Sequence, residues 1–218
     1  MPGKQLVIFD LDGTLIDSKL DLAHAVNAAR EHMGMTPLEF GLIYSYVGNG
    51  APVLIRRALG PAASEADVDR ALAYFLVWYG DHKLDHTCLY PGVREALDRL
   101  RGVGIPLAVL TNKPVRISQA IVNGLGVGDH FFRVYGGNSF PEKKPNPIGV
   151  RALLEESGVE GAQAVVVGDS GVDVRTARNA GVDVYGVTYG FAPETFDQDP
   201  PDLSFATMPA LADWLLRD

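Results

Sequence analysis

Apolar residues follow two rhythms along this chain. Leu6-Val7-Ile8-Phe9, Pro106-Leu107-Ala108-Val109-Leu110 and Ala164-Val165-Val166-Val167 are short, nearly continuous apolar runs. That is the pattern of strands buried on both faces. A short strand near Val134 and another over 182–187 complete the series. Between the runs the spacing becomes that of amphipathic helices, predicted over 93–100, 117–125, 148–156 and 174–180. A closing helix over 210–216 turns Leu211, Trp214 and Leu215 inward. Strands alternating with helices predict an α/β fold, a Rossmann-like parallel sheet core with helices on both faces.

One segment breaks the alternation. Asp17 or Ser18 can cap a helix carrying Leu22, Val26, Ala29 and Met33 on one face. Pro37 opens a second helical stretch, Gly48-Asn49-Gly50 interrupts it, and it resumes over 53–59. Ser64-Glu65-Ala66-Asp67 resembles a capping box ahead of Val68, Leu72, Phe75, Leu76 and Tyr79. The expected organisation is a discontinuous core, 1–16 and 85–218, with an all-helical cap inserted over 17–84. Both crossings are expected to be hinges. Helical inserts near the carboxyl ends of strands commonly act as lids over the ligand crevice.

Composition narrows the choice of function. The 218 residues are 47% apolar, enough for a real core, and the formal net charge is −8. That charge argues against a nucleic-acid surface, so an anionic substrate needs a local cationic pocket or a metal. Cys88 is the only cysteine, which rules out an intrachain disulfide and suits a reducing compartment. No apolar stretch approaches the roughly 20 residues that span a bilayer. Met1-Pro2-Gly3-Lys4 runs straight into the first strand, so no signal peptide and a cytoplasmic location are expected.

The chemistry concentrates at strand ends. Asp10-Leu11-Asp12-Gly13-Thr14-Leu15 follows the first apolar run. Two carboxylates two residues apart repel unless a proton or cation separates them. Mg²⁺ suits such a hard oxygen site, and Gly13 lets backbone amides approach an anion. A carboxylate nucleophile beside Mg²⁺ and a phosphate is one reading; an ordinary Asp-Gly turn is the other. Thr111-Asn112-Lys113 follows the second run, and Gly168-Asp169-Ser170-Gly171-Val172-Asp173 follows the third. Lys143-Lys144-Pro145-Asn146-Pro147 lies in a loop between them. Taken singly, these could be a helix entry, a capped turn and solvated lysines. Their order and placement at strand ends favour chemistry.

The combination resembles the haloacid-dehalogenase-like hydrolase superfamily, and within it the phosphoglycolate phosphatase group. The group resemblance rests on Val47-Gly48-Asn49-Gly50, Tyr90-Pro91-Gly92-Val93, Thr111-Asn112-Lys113-Pro114 and Thr188-Tyr189-Gly190-Phe191. The resemblance implies that Asp10 attacks phosphorus, forming an aspartyl-phosphate, while Asp12 protonates the leaving alkoxide and then deprotonates water. It implies Mg²⁺ held by the Asp10 side chain, the Asp12 carbonyl and the Asp169 side chain. Gly13, Thr111, the Asn112 backbone and Lys144 would hold the phosphate, with Asp173 orienting Lys144 or a metal-bound water. Lys143 is also available, but the Pro145 that follows Lys144 matches the family pattern. The first strand is expected at the sheet centre, beside the strand ending at Asp169.

The implied substrate is a small phosphorylated metabolite, with 2-phosphoglycolate first. Pyrophosphate, a sugar phosphate or a nucleotide would use the same chemistry. A phosphoacceptor signalling domain and a non-catalytic binding protein are readings from other classes. Gly48, Asn49, Gly50 and Arg56 (or Arg57) are the cap's candidates for substrate contacts. His82 and His86, four apart near Asp81, Asp85 and Cys88, read as a polar linker or as a metal pair. Monomer and homodimer both remain open.

Overall fold

Alternate residues of each apolar run face opposite sides of one sheet. The computed structural model describes residues 3–217. In chain order the strands are β1 (Leu6–Phe9), β2 (Ile16–Asp17), β3 (Cys88–Leu89), β4 (Leu107–Leu110), β5 (Phe131–Tyr135), β6 (Ala164–Gly168), β7 (Asp183–Val187) and β8 (Leu203–Phe205). The helices are α1 (Lys19–His32), α2 (Phe40–Tyr44), α3 (Ala51–Leu59), α4 (Glu65–His82), α5 (Val93–Gly102), α6 (Val115–Gly124), α7 (Ile148–Ser157), α8 (Gly171–Ala180) and α9 (Met208–Leu215). Six strands form a sheet ordered β5-β4-β1-β6-β7-β8, and its neighbouring strands run parallel. β1 lies between β4 and β6, with Ile8 in register with Ala108 and Val166.

The two-residue period divides the core into two layers. Val7, Phe9, Val109, Val165 and Val167 pack with Leu97 and Leu100 of α5, Ile121 of α6 and Leu211 of α9. Leu6, Ile8, Ala108, Leu110 and Val166 pack with Val150 and Leu153 of α7 and Val174 and Ala177 of α8. Both faces are covered, so no position in these strands can stay polar cheaply. Each large aliphatic side chain buried there contributes about 1.5–3 kcal/mol. Trp214 is only half-buried and packs at the margin of its layer, while Leu211 and Leu215 are inside. β8 has no strand signal in the sequence. It is three residues long, borders the sheet, and registers on β7 through Tyr185 opposite Leu203.

The chain divides into two compact units, Met1–Asp17 with Leu89–Asp218, and Ser18–Cys88. In the helical unit, α1 contributes Leu22, Val26 and Ala29 to a core shared with Leu54 and Ile55 of α3 and Phe75 and Tyr79 of α4. α4 opens on a complete capping box between Ser64 and Asp67. Two local readings need correction. Pro37 does not begin a helix, because Asn27 bonds both backbone groups of Leu38, at 2.8 and 2.9 Å, and α2 starts only at Phe40. Asp17 is a strand residue, and Ser18 is the N-cap of α1 without making a side-chain capping bond.

Residues 85–88 pack with the helical unit, which ends at Cys88 and not at 84. The reason is Asp21, buried in the first turn of α1. Its carboxylate accepts hydrogen bonds from the His86 and Thr87 amides and from the Thr87 hydroxyl, at 2.7–3.0 Å. Asp21→Ala would leave these donors unpaired at a cost of about 2–4 kcal/mol. Hydrogen exchange should show the His86 and Thr87 amides losing protection first in that variant. Unchanged protection there would refute the account.

Candidate active site

The first two candidate carboxylates, Asp10 and Asp12, leave β1 on a tight loop. The Asp10 amide donates to the Val167 carbonyl at 2.8 Å, which extends the β1–β6 pairing by one residue. Leu11 is fully buried, and its amide donates to Asp10 Oδ1 at 2.7 Å. Gly13 has φ +83°, and a Cβ there would lie 2.2 Å from Asp169 Oδ2, so only glycine fits. Gly190 sits equally close, since a Cβ there would meet Asp169 Cβ at 2.2 Å. The Asp169 side chain therefore lies in a slot between two glycines. Its Oδ2 accepts from the Phe191 amide at 2.6 Å, and Thr14 Oγ1 donates to its Oδ1 at 3.4 Å.

Asp173 shows how helix capping becomes part of the site. It is the third residue of α8 and reaches back in a capping box, its Oδ2 accepting from the Ser170 hydroxyl at 2.7 Å. Its Oδ1 accepts from Lys144 Nζ at 2.7 Å. A Cβ on Gly168 would lie 2.2 Å from Asp173 Cγ, so the glycine ending β6 makes this packing possible. Lys144 Nζ also lies 2.9 Å from Asp10 Oδ1. Of the two adjacent lysines, Lys144 is buried between two carboxylates, while Lys143 is half-buried with its ammonium disfavoured by desolvation.

The charges do not balance. Asp10, Asp169 and Asp173 bring oxygens within 4.8 Å of one another, and Lys144 contacts Asp10 and Asp173. Burial pushes Asp10 up to about 6, with the neighbouring Asp173 adding to the rise against the pull of Lys144. Burial, then Asp173 and Asp10, push Asp169 up to about 8. Burial alone would lower Lys144, but Asp10 and Asp173 overcome it and hold the ammonium above the ordinary lysine value. Such a cluster could hold a metal ion. The donors are all oxygen, which suits a hard divalent cation. Lys144 engages both Asp10 and Asp173, whereas Asp169 is held by the Phe191 amide and the Thr14 hydroxyl.

The remaining predicted residues assemble around this cluster. The Thr111 amide, just past β4, donates to the Tyr135 carbonyl at 3.0 Å, and Thr111 Oγ1 accepts from the Lys113 amide at 3.3 Å. Asn112 Nδ2 donates to the Lys144 carbonyl at 3.1 Å, tying the two loops together. Gly137 lies against this turn, and a Cβ there would be 2.4 Å from the Asn112 carbonyl oxygen. Lys113 had no role in the sequence reading. It is buried, and its Nζ lies 2.9 and 3.1 Å from the two carboxylate oxygens of Asp12. Tyr189 was also missed, and its hydroxyl donates to the Thr14 carbonyl at 2.8 Å. An unexplained lysine directly after Thr111-Asn112 was the available signal for the first. For the second it was the segment Thr188-Tyr189-Gly190-Phe191, which carried the resemblance without a role for its tyrosine.

The cap candidates lie in the helical unit. Gly48 and Gly50 have φ +113° and +84°, and Gly50 is the N-cap of α3. Asn49 lies between them. Arg56 forms an ion pair with Glu65, and Arg57 Nη1 donates to the Tyr46 carbonyl at 3.2 Å. His82 and His86 have different partners. His82 stacks on Trp78 and bonds Asp85 at 2.7 Å, whereas the His86 ring lies 5.6 Å from that of His24.

Comparison with known proteins agrees with this geometry. A family model described as haloacid dehalogenase-like hydrolase matches residues 7–187. A phosphoglycolate phosphatase from Chromobacterium violaceum is 43% identical over 190 residues, covering 85% of this chain and 86% of that protein. One from Psychrobacter arcticus is 39% identical over 226 residues, covering 98% and 96%. The crystal structure of a predicted phosphoglycolate phosphatase from Haemophilus somnus 129PT superposes with a TM-score of 0.92 at 34% identity, covering 98% and 99% of the two chains. The chain belongs to the haloacid dehalogenase-like hydrolase family.

Proposed function

We propose that this protein is a Mg²⁺-dependent phosphomonoester hydrolase of the cytoplasm, with 2-phosphoglycolate as its substrate. The observation that carries the reading is the buried Asp10–Lys144–Asp173 array beside Asp169. The choice of ester is supported by relatives named phosphoglycolate phosphatase that are 39–43% identical. Among the described residues no helix is long and apolar enough to cross a membrane.

Asp10 is the nucleophile. A bond forms from its carboxylate to phosphorus as the ester P–O bond breaks, and Asp12 gives its proton to the departing alkoxide. Water then attacks the aspartyl-phosphate, Asp12 takes its proton, and the bond to Asp10 breaks to release orthophosphate. Thr111, the Asn112 amide, the backbone at Gly13 and Lys144 cradle the phosphoryl oxygens. Asp173 holds Lys144 in place. Asp10, Asp169 and the Asp12 carbonyl are the residues that would hold Mg²⁺, which supplies charge neutralisation between an anionic nucleophile and an anionic ester. The helical unit serves as a cap, with Gly48, Asn49, Gly50 and Arg56 as its candidates for substrate contacts.

Phosphate release from 2-phosphoglycolate should require a divalent cation and stop on chelation. Asp10→Asn should lower kcat on the order of 10⁴-fold or more without loss of folding. Asp12→Asn should lower it about 10²–10⁴-fold. Stable phosphorylation of Asp10 without turnover would instead point to signalling. Turnover of pyrophosphate, a sugar phosphate or a nucleotide in preference to 2-phosphoglycolate would keep the mechanism and discard the substrate.

The raised carboxyls set a pH dependence. In the cation-free protein, folding holds protons on Asp10 and Asp169 that the unfolded chain releases near the ordinary 3.8. Their contribution to stability is complete below that pH and is lost as pH rises through about 6 for Asp10 and about 8 for Asp169. A cation binds the ionised forms, so the rise in Tm caused by Mg²⁺ should grow from about pH 5 to about pH 8. Asp169→Asn should flatten that growth. Thermal denaturation with and without Mg²⁺ measures it, and a pH-independent Mg²⁺ effect would contradict the ligand assignment.

A further inference from the structure

Two buried lysines stand in the site, and the mechanism above uses one. Lys144 is committed to Asp10 and Asp173. Lys113 has its side chain only 3% exposed and its ammonium on both oxygens of Asp12. Burying an ammonium carries a desolvation cost, and a carboxylate partner offsets it only partly. A neutral leaving group gives no reason to keep a cation there.

We infer that Lys113 is a specificity residue: its ammonium recognises a carboxylate on the leaving group and so selects phosphate esters of small 2-hydroxy acids. The inference rests on the phosphatase reading and on Asp12 as the group facing the ester oxygen. An acid or base must come within about 2.6–3.2 Å of the oxygen it serves. Lys113 Nζ is 2.9 and 3.1 Å from the Asp12 oxygens, so it lies within roughly 6 Å of that ester oxygen when Asp12 engages it. In an ester of a 2-hydroxy acid, one carbon separates the ester oxygen from the carboxyl carbon. The carboxylate oxygens then sit roughly 3 Å from the ester oxygen, within reach of the ammonium.

Charge points the same way. A leaving group with its own carboxylate brings a further anion into a site crowded with carboxylates, and like charges at close range repel. Lys113, on Asp12, is a cation placed to offset it. A sugar, alkyl or nucleoside leaving group is uncharged and needs no such compensation. The Thr111-Asn112-Lys113 turn thus contributes a phosphate contact and, two residues on, a contact to what the phosphate is attached to.

The test compares two esters of equal length in the presence of Mg²⁺, 2-phosphoglycolate and 2-hydroxyethyl phosphate. The second replaces the carboxylate by a neutral hydroxymethyl group and still needs an acid for its alkoxide. The wild-type protein should prefer 2-phosphoglycolate, and glycolate should inhibit competitively where ethylene glycol does not. In Lys113→Met the ratio of the two kcat/KM values should fall by about thirtyfold, the effect of losing one charge-assisted hydrogen bond, mainly through KM. Lys113→Arg should recover part of the ratio. An equal loss on both esters would mean that Lys113 only positions Asp12 and would overturn the inference. If Lys113→Met fails to fold, the wild-type preference and the glycolate inhibition decide, and absence of either overturns it. Turnover of both esters without preference sinks this inference alone. Inactivity of the wild-type protein on both esters and on a generic aryl phosphate sinks the phosphatase reading with it.

Discussion

The site is organised around the Lys144 ammonium, buried and in contact with Asp10 on one side and Asp173 on the other. Removing either partner from such a contact leaves a charge buried without compensation, which typically costs several kcal/mol. The contact therefore couples three loops that are distant in sequence. Asp10 comes from the end of β1, Lys144 from the loop before α7, and Asp173 from the first turn of α8. Each element must be in place for the other two to be tolerated. Gly168 and the capping box of α8 belong to the same constraint, since they determine where Asp173 can sit. A stability device of the helix has become the support of a buried lysine.

The sheet explains why the carboxylates converge at all. β1 is paired on one side with β4 and on the other with β6, and the chain reaches those neighbours by crossovers in opposite directions. At such a reversal the loops after adjacent strands diverge and leave a crevice at their carboxyl ends. Asp10 and Asp169 end the two adjacent strands β1 and β6, and Thr111 ends β4. Three neighbouring strand ends thus supply an anion pair and the Thr111-Asn112-Lys113 turn. The apolar runs that make the strands insoluble on their own are what hold these polar ends in register.

How far the sequence reveals all this depends on range. β1, β4 and β6 are legible because burial on both faces leaves an unbroken apolar run. β8 is not, because a three-residue strand beside β7 needs no such run. Pro37 looks like a helix start until the Asn27 side chain is known to hold Leu38 in another conformation. The end of the helical unit is invisible for the same reason, because it is drawn by Asp21 across 65 residues of chain. In the site, motif residues were found because their types and order are unusual together. Arg56 pairs with Glu65, a partner nine residues on that nothing local announces. Lys113 was passed over because a lysine at a helix entry is ordinary until its burial against Asp12 is seen.

Asp10 and Asp12 pose the last physical question, since two similar side chains two residues apart need different surroundings. In a regular strand they would share a face and an environment. Here the chain leaves the strand at Asp10. Leu11 anchors the turn by burying its side chain completely while its amide bonds Asp10 Oδ1. Gly13 then turns in a conformation that a side chain at that position could not share with Asp169. The result is that Asp10 meets Lys144 while Asp12 meets Lys113. One carboxylate is placed among other carboxylates, where a cation has reason to bind. Its neighbour is matched to a single lysine. That separation lets one short loop hold two carboxylates in different surroundings, and it depends on a buried apolar residue, Leu11.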